Sequence, residues 1–147
     1  MNWVQRRIKR EDAIRSGVGV LWQQLASTVA DVVKSYNERY GKEHGNITAE
    51  PNCGSLWLKR KAMTADSNRL RSMLEDVALL IALEGNQSSV SAQRNGRSII
   101  VVPIDANIDN DDLCFSQDGK PISLDEASQL LIEDFLFNPS LSAKLQR

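Results

Sequence analysis

The sequence is short of the residues that usually announce a function: two cysteines, one histidine and 5% aromatics among 147 residues. Cys53 and Cys114 stand far apart, with no CxxC or HxxxH beside either, which excludes the usual structural zinc spacings. Such a pair fits reduced, partly buried thiols better than a lone disulfide. His44 is the only histidine, so a serine or cysteine nucleophile has one base to recruit, and no GxSxG turn presents a serine. A Cys53–His44 pair would lack any group to orient the imidazole. Neither GxGxxG nor GxxxxGK[ST] occurs to cradle phosphate. No apolar run approaches the roughly 18 residues of a membrane span, the longest being Val77 to Leu83. Arg6, Arg7, Lys9 and Arg10 do precede an uncharged stretch from Ser16 to Ala30. Glu11, Asp12 and Arg15 intervene, however, and Gln23 and Gln24 interrupt the apolar region, unlike a signal peptide. Without export, the sequons at Asn46 and Asn86 carry no meaning, and the expected compartment is the cytoplasm.

Charge of one sign is also missing overall, but not locally. Eighteen Lys and Arg balance 19 Asp and Glu, for a net charge of −1. Residues 1–73 hold 13 cations against 7 anions, and residues 74–147 hold 5 against 12, so the halves carry +6 and −7. With 41% hydrophobic and 25% charged residues, disorder and fibrous repeats are excluded. The length suits a single domain over 1–147, with 1–16 as a basic arm and 140–147 as a tail.

What is present is strong periodicity. Ile14, Val18, Leu21, Trp22, Leu25, Val29, Val32, Val33, Tyr36 and Tyr40 recur at three- and four-residue steps, the pattern of one apolar helix face. Gly41 stands where a left-handed C-terminal cap belongs, and Gly17 with Gly19 sets Trp3–Ser16 apart as a separate turn or arm. The stripe is too wide for a coiled-coil seam, so the helix is expected to lie on a sheet. From Gly45 the grammar becomes that of strands. Leu56–Leu58, Ser88–Gln93, Ser98–Pro103, Leu113–Ser116 and Lys120–Ile122 read as strands, with hairpin turns at Asn95-Gly96 and Asp118-Gly119. Pro103 places its strand at an edge or ends it. Ser123 with Glu126 forms a capping box opening a last helix, buried through Leu130, Leu131, Phe135 and Leu136 and ended by Asn138-Pro139.

Residues 66–83 fit a helix from Asp66 to Gly85 or, over Val77–Leu83, a buried strand. Lys120–Phe137 resembles the ending of small uncharacterised bacterial proteins in which a long helix precedes a strand meander and a closing helix. The resemblance spans about the last two-thirds of the chain, implies no activity, and favours a strand for 77–83. The expected fold is therefore α+β: a long N-terminal helix, an antiparallel meander of about four or five strands, and a C-terminal helix.

Three features invite chemistry. Asp105, Asn107 and Asp109 occupy the first, third and fifth positions of a calcium-loop pattern, but Ser116 stands where the bidentate carboxylate belongs, so a solvated hairpin loop is expected. The adjacent acids Glu75/Asp76, Asp125/Glu126 and Glu133/Asp134 point apart on any regular element and form no acid–base pair. Lys59, Arg60 and Lys61 follow Trp57 and precede Arg69 and Arg71, a basic patch suited to single-stranded nucleic acid, although the sequence pI of 5.8 is far below the roughly 9 of dedicated binders. The supply of apolar side chains on both helices exceeds what a small sheet needs. Trp22, Tyr36, Phe135 and Phe137 are thus the candidate interaction surface. A non-catalytic protein-interaction module (adaptor, small chaperone or immunity-type protein), binding another protein or itself, is the expectation. A nucleic-acid-associated protein is the alternative and an enzyme the third option, with no catalytic, cofactor or metal residue to nominate.

Overall fold

The computed structural model describes residues 1–60, 78–85, 88–94, 96–106 and 112–137. One helix, α1 (Trp3–His44), runs 42 residues without a break. Asn2 opens it with a capping box of its own: its side chain accepts from the Gln5 amide at 2.9 Å, and Gln5 Oε1 accepts from the Asn2 amide at 3.0 Å. Trp3–Ser16 is therefore not a separate turn but the first turns of the same helix. Gly17 has another use, since a Cβ there would lie 2.8 Å from Leu113 Cδ1, so the missing side chain lets α1 approach the sheet. Gly41 is not the cap either. The helix continues to His44 and is closed by Gly45 at φ 88°, whose amide donates to Gly41 O. Gly41 instead leaves room for the Asn46 side chain, which occupies the place a Cβ would need.

Seven strands follow as a simple meander, paired in sequence order and antiparallel throughout: β1 (Ile47–Asn52), β2 (Ser55–Arg60), β3 (Ala78–Leu83), β4 (Ser89–Arg94), β5 (Arg97–Ala106), β6 (Leu113–Gln117) and β7 (Lys120–Ile122). The closing helix is α2 (Leu124–Phe137). This is the expected α+β architecture, with more strands than expected. Residues 78–83 form a strand, paired with β2 and β4. The added strand is β1, whose only alternation is Ile47 and Ala49 before Pro51 and Asn52. Its outer edge is occupied by Asn37, whose side-chain nitrogen donates to Ile47 O and whose oxygen accepts from Ile47 N, each at 2.8 Å. A side chain thus takes the place of a neighbouring strand and blunts the edge.

Asp118 (φ 53°) and Gly119 (φ 78°) make the expected left-handed turn between β6 and β7. At the other hairpin Gly96 has φ 76°, and Asn95 lies outside the described residues. Pro103 neither ends its strand nor lies on an edge. It marks the switch of β5 from pairing with β4 to pairing with β6. Ile104 N donates to Ser88 O on the β4 side, so the amide missing at Pro103 would point the other way, where pairing with β6 begins only at Ile104.

One sheet face takes both helices. Leu56, Ile81, Ala92 and Ile100 form a row across four strands, and Ile104 faces Phe115 beside Ile122. Leu25 and Val29 of α1, with Ala127, Leu131, Ile132 and Phe135 of α2, are buried against such rows. Trp57, Ile99 and Val101 are exposed. Among the described residues no helix is long and apolar enough to cross a membrane.

Candidate functional site

Of the side chains picked out by sequence, Tyr36 and Phe135 meet at Arg60, and Phe137 packs on Tyr36. Tyr36 is 4% exposed and Phe135 2%, so two of the four proposed surface residues belong to the core. Their breadth of pattern misleads because both helices are covered twice, by the sheet and by each other. Trp22 is partly buried against the core, and only Phe137, 55% exposed, offers a free face. Its ring packs edge-on against Tyr36 and Tyr40 at 5.6 and 5.5 Å.

The two described cations of the basic patch after Trp57 point apart. Lys59 points to the exposed face and pairs with Glu50 at 2.9 Å. Arg60 points the other way and is 5% exposed. Successive strand residues alternate faces, so two adjacent cations cannot share a surface. Lys61, Arg69 and Arg71 lie outside the described residues. Arg60 has a different partner: the backbone. Nη1 donates to Tyr36 Oη at 3.0 Å and His44 O at 2.9 Å, and Nη2 donates to Phe135 O at 3.0 Å and Leu136 O at 3.2 Å. The guanidinium also lies 5.5 Å from the Tyr36 and Phe135 ring centres. Two helix C-termini, each equivalent to about half a negative charge, converge on it and act together as its counterion. This is a structural joint: both terminal nitrogens bond to the protein, and only the buried Nε lacks a partner among the described residues.

His44 and Cys53 are also apart. The first ends α1 and the second sits in the turn after β1, so six strand residues, roughly 20 Å, separate them. Of the acidic loop, residues 107–111 lie outside the described residues. Asp105 at its start accepts from Arg10 at 2.7 Å and from the Ala106 amide at 2.9 Å. Burial, with Asp105 across the strand pair adding to it, pushes the Cys114 thiol above its ordinary range. No group of three metal-ligating side chains occurs among the described residues.

The site that does assemble lies at the other end of α1. Every residue from 1 to 12 is exposed, and burial begins only at Ala13 and Ile14. Met1, Trp3, Val4 and Ile8 are 78%, 67%, 43% and 52% exposed. Between this overhang and β5 opens a cleft of about 930 Å³. Ile14, Pro103, Ile104 and Ala106 line it with apolar surface, and Arg6, Arg7, Lys9 and Arg10 supply its cations. Arg7 leans on Glu11 at 3.1 Å, and Arg10 is held by Asp105. Sequence reasoning placed these arginines in a basic arm over residues 1–16. The signal it passed over was Asn2-x-x-Gln5, which fixes the helix start and so carries the stripe upstream through Trp3 and Val4.

Comparison with known protein families, with curated proteins and with solved structures finds no match.

Proposed function

We propose that this is a non-catalytic protein-interaction module, working in the cytoplasm in the manner of an adaptor, small chaperone or immunity-type protein, and that it holds its partner with the overhang of α1. The observation that carries the reading is the exposure of Trp3, Val4 and Ile8 on helix turns that no described residue covers, beside an apolar cleft rimmed by arginine. Tryptophan and arginine, the pairing that Trp3 makes with its neighbours, are enriched in binding hot spots. A free thiol at each of Cys53 and Cys114 supports a reducing compartment.

The test is to replace Trp3 by Ala and Ile8 by Ser together and to follow association by sedimentation over a roughly hundredfold concentration range, with co-purification from the native host beside it. Both residues are exposed, so the fold should survive. Association or a specific partner that disappears with the double substitution supports the reading. A protein that stays monomeric and retains nothing in a Trp3- and Ile8-dependent way refutes it.

Single-stranded nucleic acid is the second reading, favoured by Trp3 standing among Arg6, Arg7 and Lys9, where a base could stack beside phosphate-binding cations. Oligonucleotide binding that quenches tryptophan fluorescence, weakens steeply with salt and is lost with Trp3 would select it.

A further inference from the structure

The overhang of α1 has a counterpart at the far end of the molecule. Helix α2 carries Asp125, Glu126, Glu133 and Asp134 and no cation at all, its last turn included. Glu126, Gln129, Glu133 and Phe137 follow one another at steps of three, four and four residues, so they share one stripe, and all four are exposed. The stripe is acidic and ends in an apolar ring. The cleft beside α1 is apolar within and rimmed by arginine. Each surface has the chemistry that the other calls for.

These surfaces cannot meet within one chain. Phe137 packs on Tyr36, and Arg7 lies 29 residues before Tyr36 on the same unbroken helix, a separation of roughly 44 Å. A second molecule is required. We infer that the partner of the overhang is a second copy of this chain, and that the two copies form a reciprocal pair in which each lays the Glu126–Phe137 stripe of α2 against the other's arginine-rimmed cleft. The inference rests on the interaction reading above and names its partner. A two-fold axis suits the arrangement because the complementary surfaces sit at opposite ends of a long molecule. Antiparallel copies satisfy both contacts at once and leave neither end free to extend a filament. In the pair, Phe137 is the apolar side chain available to the floor of Ile14, Pro103 and Ile104, and Glu133 is the anion available to Arg6 and Arg7.

Charge exchange tests this directly. The arm variant is Arg6→Glu with Arg7→Glu, both at exposed positions, where loss of the exposed Arg7–Glu11 pair costs the fold little. The stripe variant is Gln129→Lys with Glu133→Lys on an exposed surface. The fourfold variant combines them, so its copies are complementary again with signs reversed. Sedimentation equilibrium of the full chain is run at low ionic strength, with circular dichroism confirming that each variant is folded. The parent chain should self-associate, and each double variant should associate at least about tenfold more weakly. The fourfold variant should recover to within about threefold of the parent. Raising the salt until the screening length falls to roughly 3 Å should weaken parent and fourfold variant alike. A monomeric parent, double variants that associate as the parent does, or a fourfold variant that fails to recover would each overturn the pairing. The interaction reading survives a monomeric parent if another protein still depends on Trp3 and Ile8. Binding of anionic vesicles or oligonucleotide that is lost in the arm variant and untouched by the stripe variant would also overturn the pairing, assigning the cleft to a different partner.

Discussion

Replacing Arg60 by methionine should loosen both helix ends at once. The guanidinium is 5% exposed and bonds to Tyr36 Oη and to the carbonyls of His44, Phe135 and Leu136. Methionine fills a similar volume and donates nothing. Leu136 O keeps the 2.8 Å bond donated by the Tyr36 hydroxyl, so it is not orphaned. Phe135 O loses its side-chain donor outright, and the Tyr36 oxygen loses an incoming bond. Each buried polar group left unsatisfied costs about 1–3 kcal/mol. Against this stands a real saving, because Arg60 Nε is buried without a partner among the described residues and its desolvation is no longer incurred. The balance is a loss of about 2–4 kcal/mol, large against the roughly 5–15 kcal/mol of a domain but not enough to unfold it. In a thermal melt the midpoint should fall by about 10 °C, and the urea midpoint should fall in proportion. Arg60→Lys should recover part of this, since an ammonium keeps the charge between the two helix C-termini but cannot reach both with the spread of Nη1 and Nη2. A methionine variant within about 0.5 kcal/mol of the parent would refute the claim that Arg60 joins the helices.

Three further outcomes follow from single features. Gly19→Ala should stabilise by about 0.8 kcal/mol, because nothing lies within 4 Å of the added methyl, whereas Gly17→Ala should gain less because Leu113 must move; equal gains in urea unfolding would contradict the packing described. Ser123→Ala should cost about 0.5–2 kcal/mol and Ser123→Asp almost nothing, since Ser123 Oγ accepts from the Glu126 amide at 3.0 Å; an unchanged urea midpoint in the alanine variant would place the start of α2 elsewhere. With a thiol-reactive dye near neutral pH, exposed Cys53 should label first and Cys114 lag. Asp105→Asn, which removes the nearby negative charge, should bring Cys114 labelling to lower pH, and equal rates for both thiols in the parent would be inconsistent with the burial of Cys114.

The elements legible in the sequence were those whose local chemistry and long-range packing agree. The apolar steps of α1, the Asp118-Gly119 turn and the Ser123–Glu126 box each state their structure within a few residues. Arg60 could not be read so, because its partners include backbone carbonyls 16 and 75 residues away and backbone atoms carry no sequence signature. β1 was missed for a related reason: a side chain of the preceding helix, Asn37, bonds both backbone groups of Ile47 at its start, and its own residues alternate too little to show a face. The end of α1 was set one turn early because Gly41 and Gly45 are equally good stops in isolation. Only the position of Asn46 against Gly41 decides between them. The candidate site shows the same limit from the other side. Its arginines and apolar residues were visible, but their exposure depends on where the sheet ends.

That dependence is geometric, and it ties the overhang to the fold as a whole. Seven strands at about 4.8 Å spacing span roughly 29 Å, and six residues of strand rise roughly 20 Å, so a straight helix crossing the sheet diagonally is covered over about 35 Å. At 42 residues, α1 is roughly 63 Å long. Even with α2 and the longer β5 extending the cover, no orientation over the described elements hides both ends. The C-terminal end is retained, because Arg60, Tyr36 and Phe137 fasten it to α2. The excess therefore emerges at the N-terminus. If that excess were only spacer, charge and short polar residues along every side would suit it best, as for any solvated helix. Instead Trp3 and Val4 continue the side of the helix that carries Ile14, Val18 and Leu21, one to three turns beyond the last strand able to receive them. On the reading proposed above, large apolar side chains on the burying face, past the point where the described residues bury them, are half of a contact completed by another molecule.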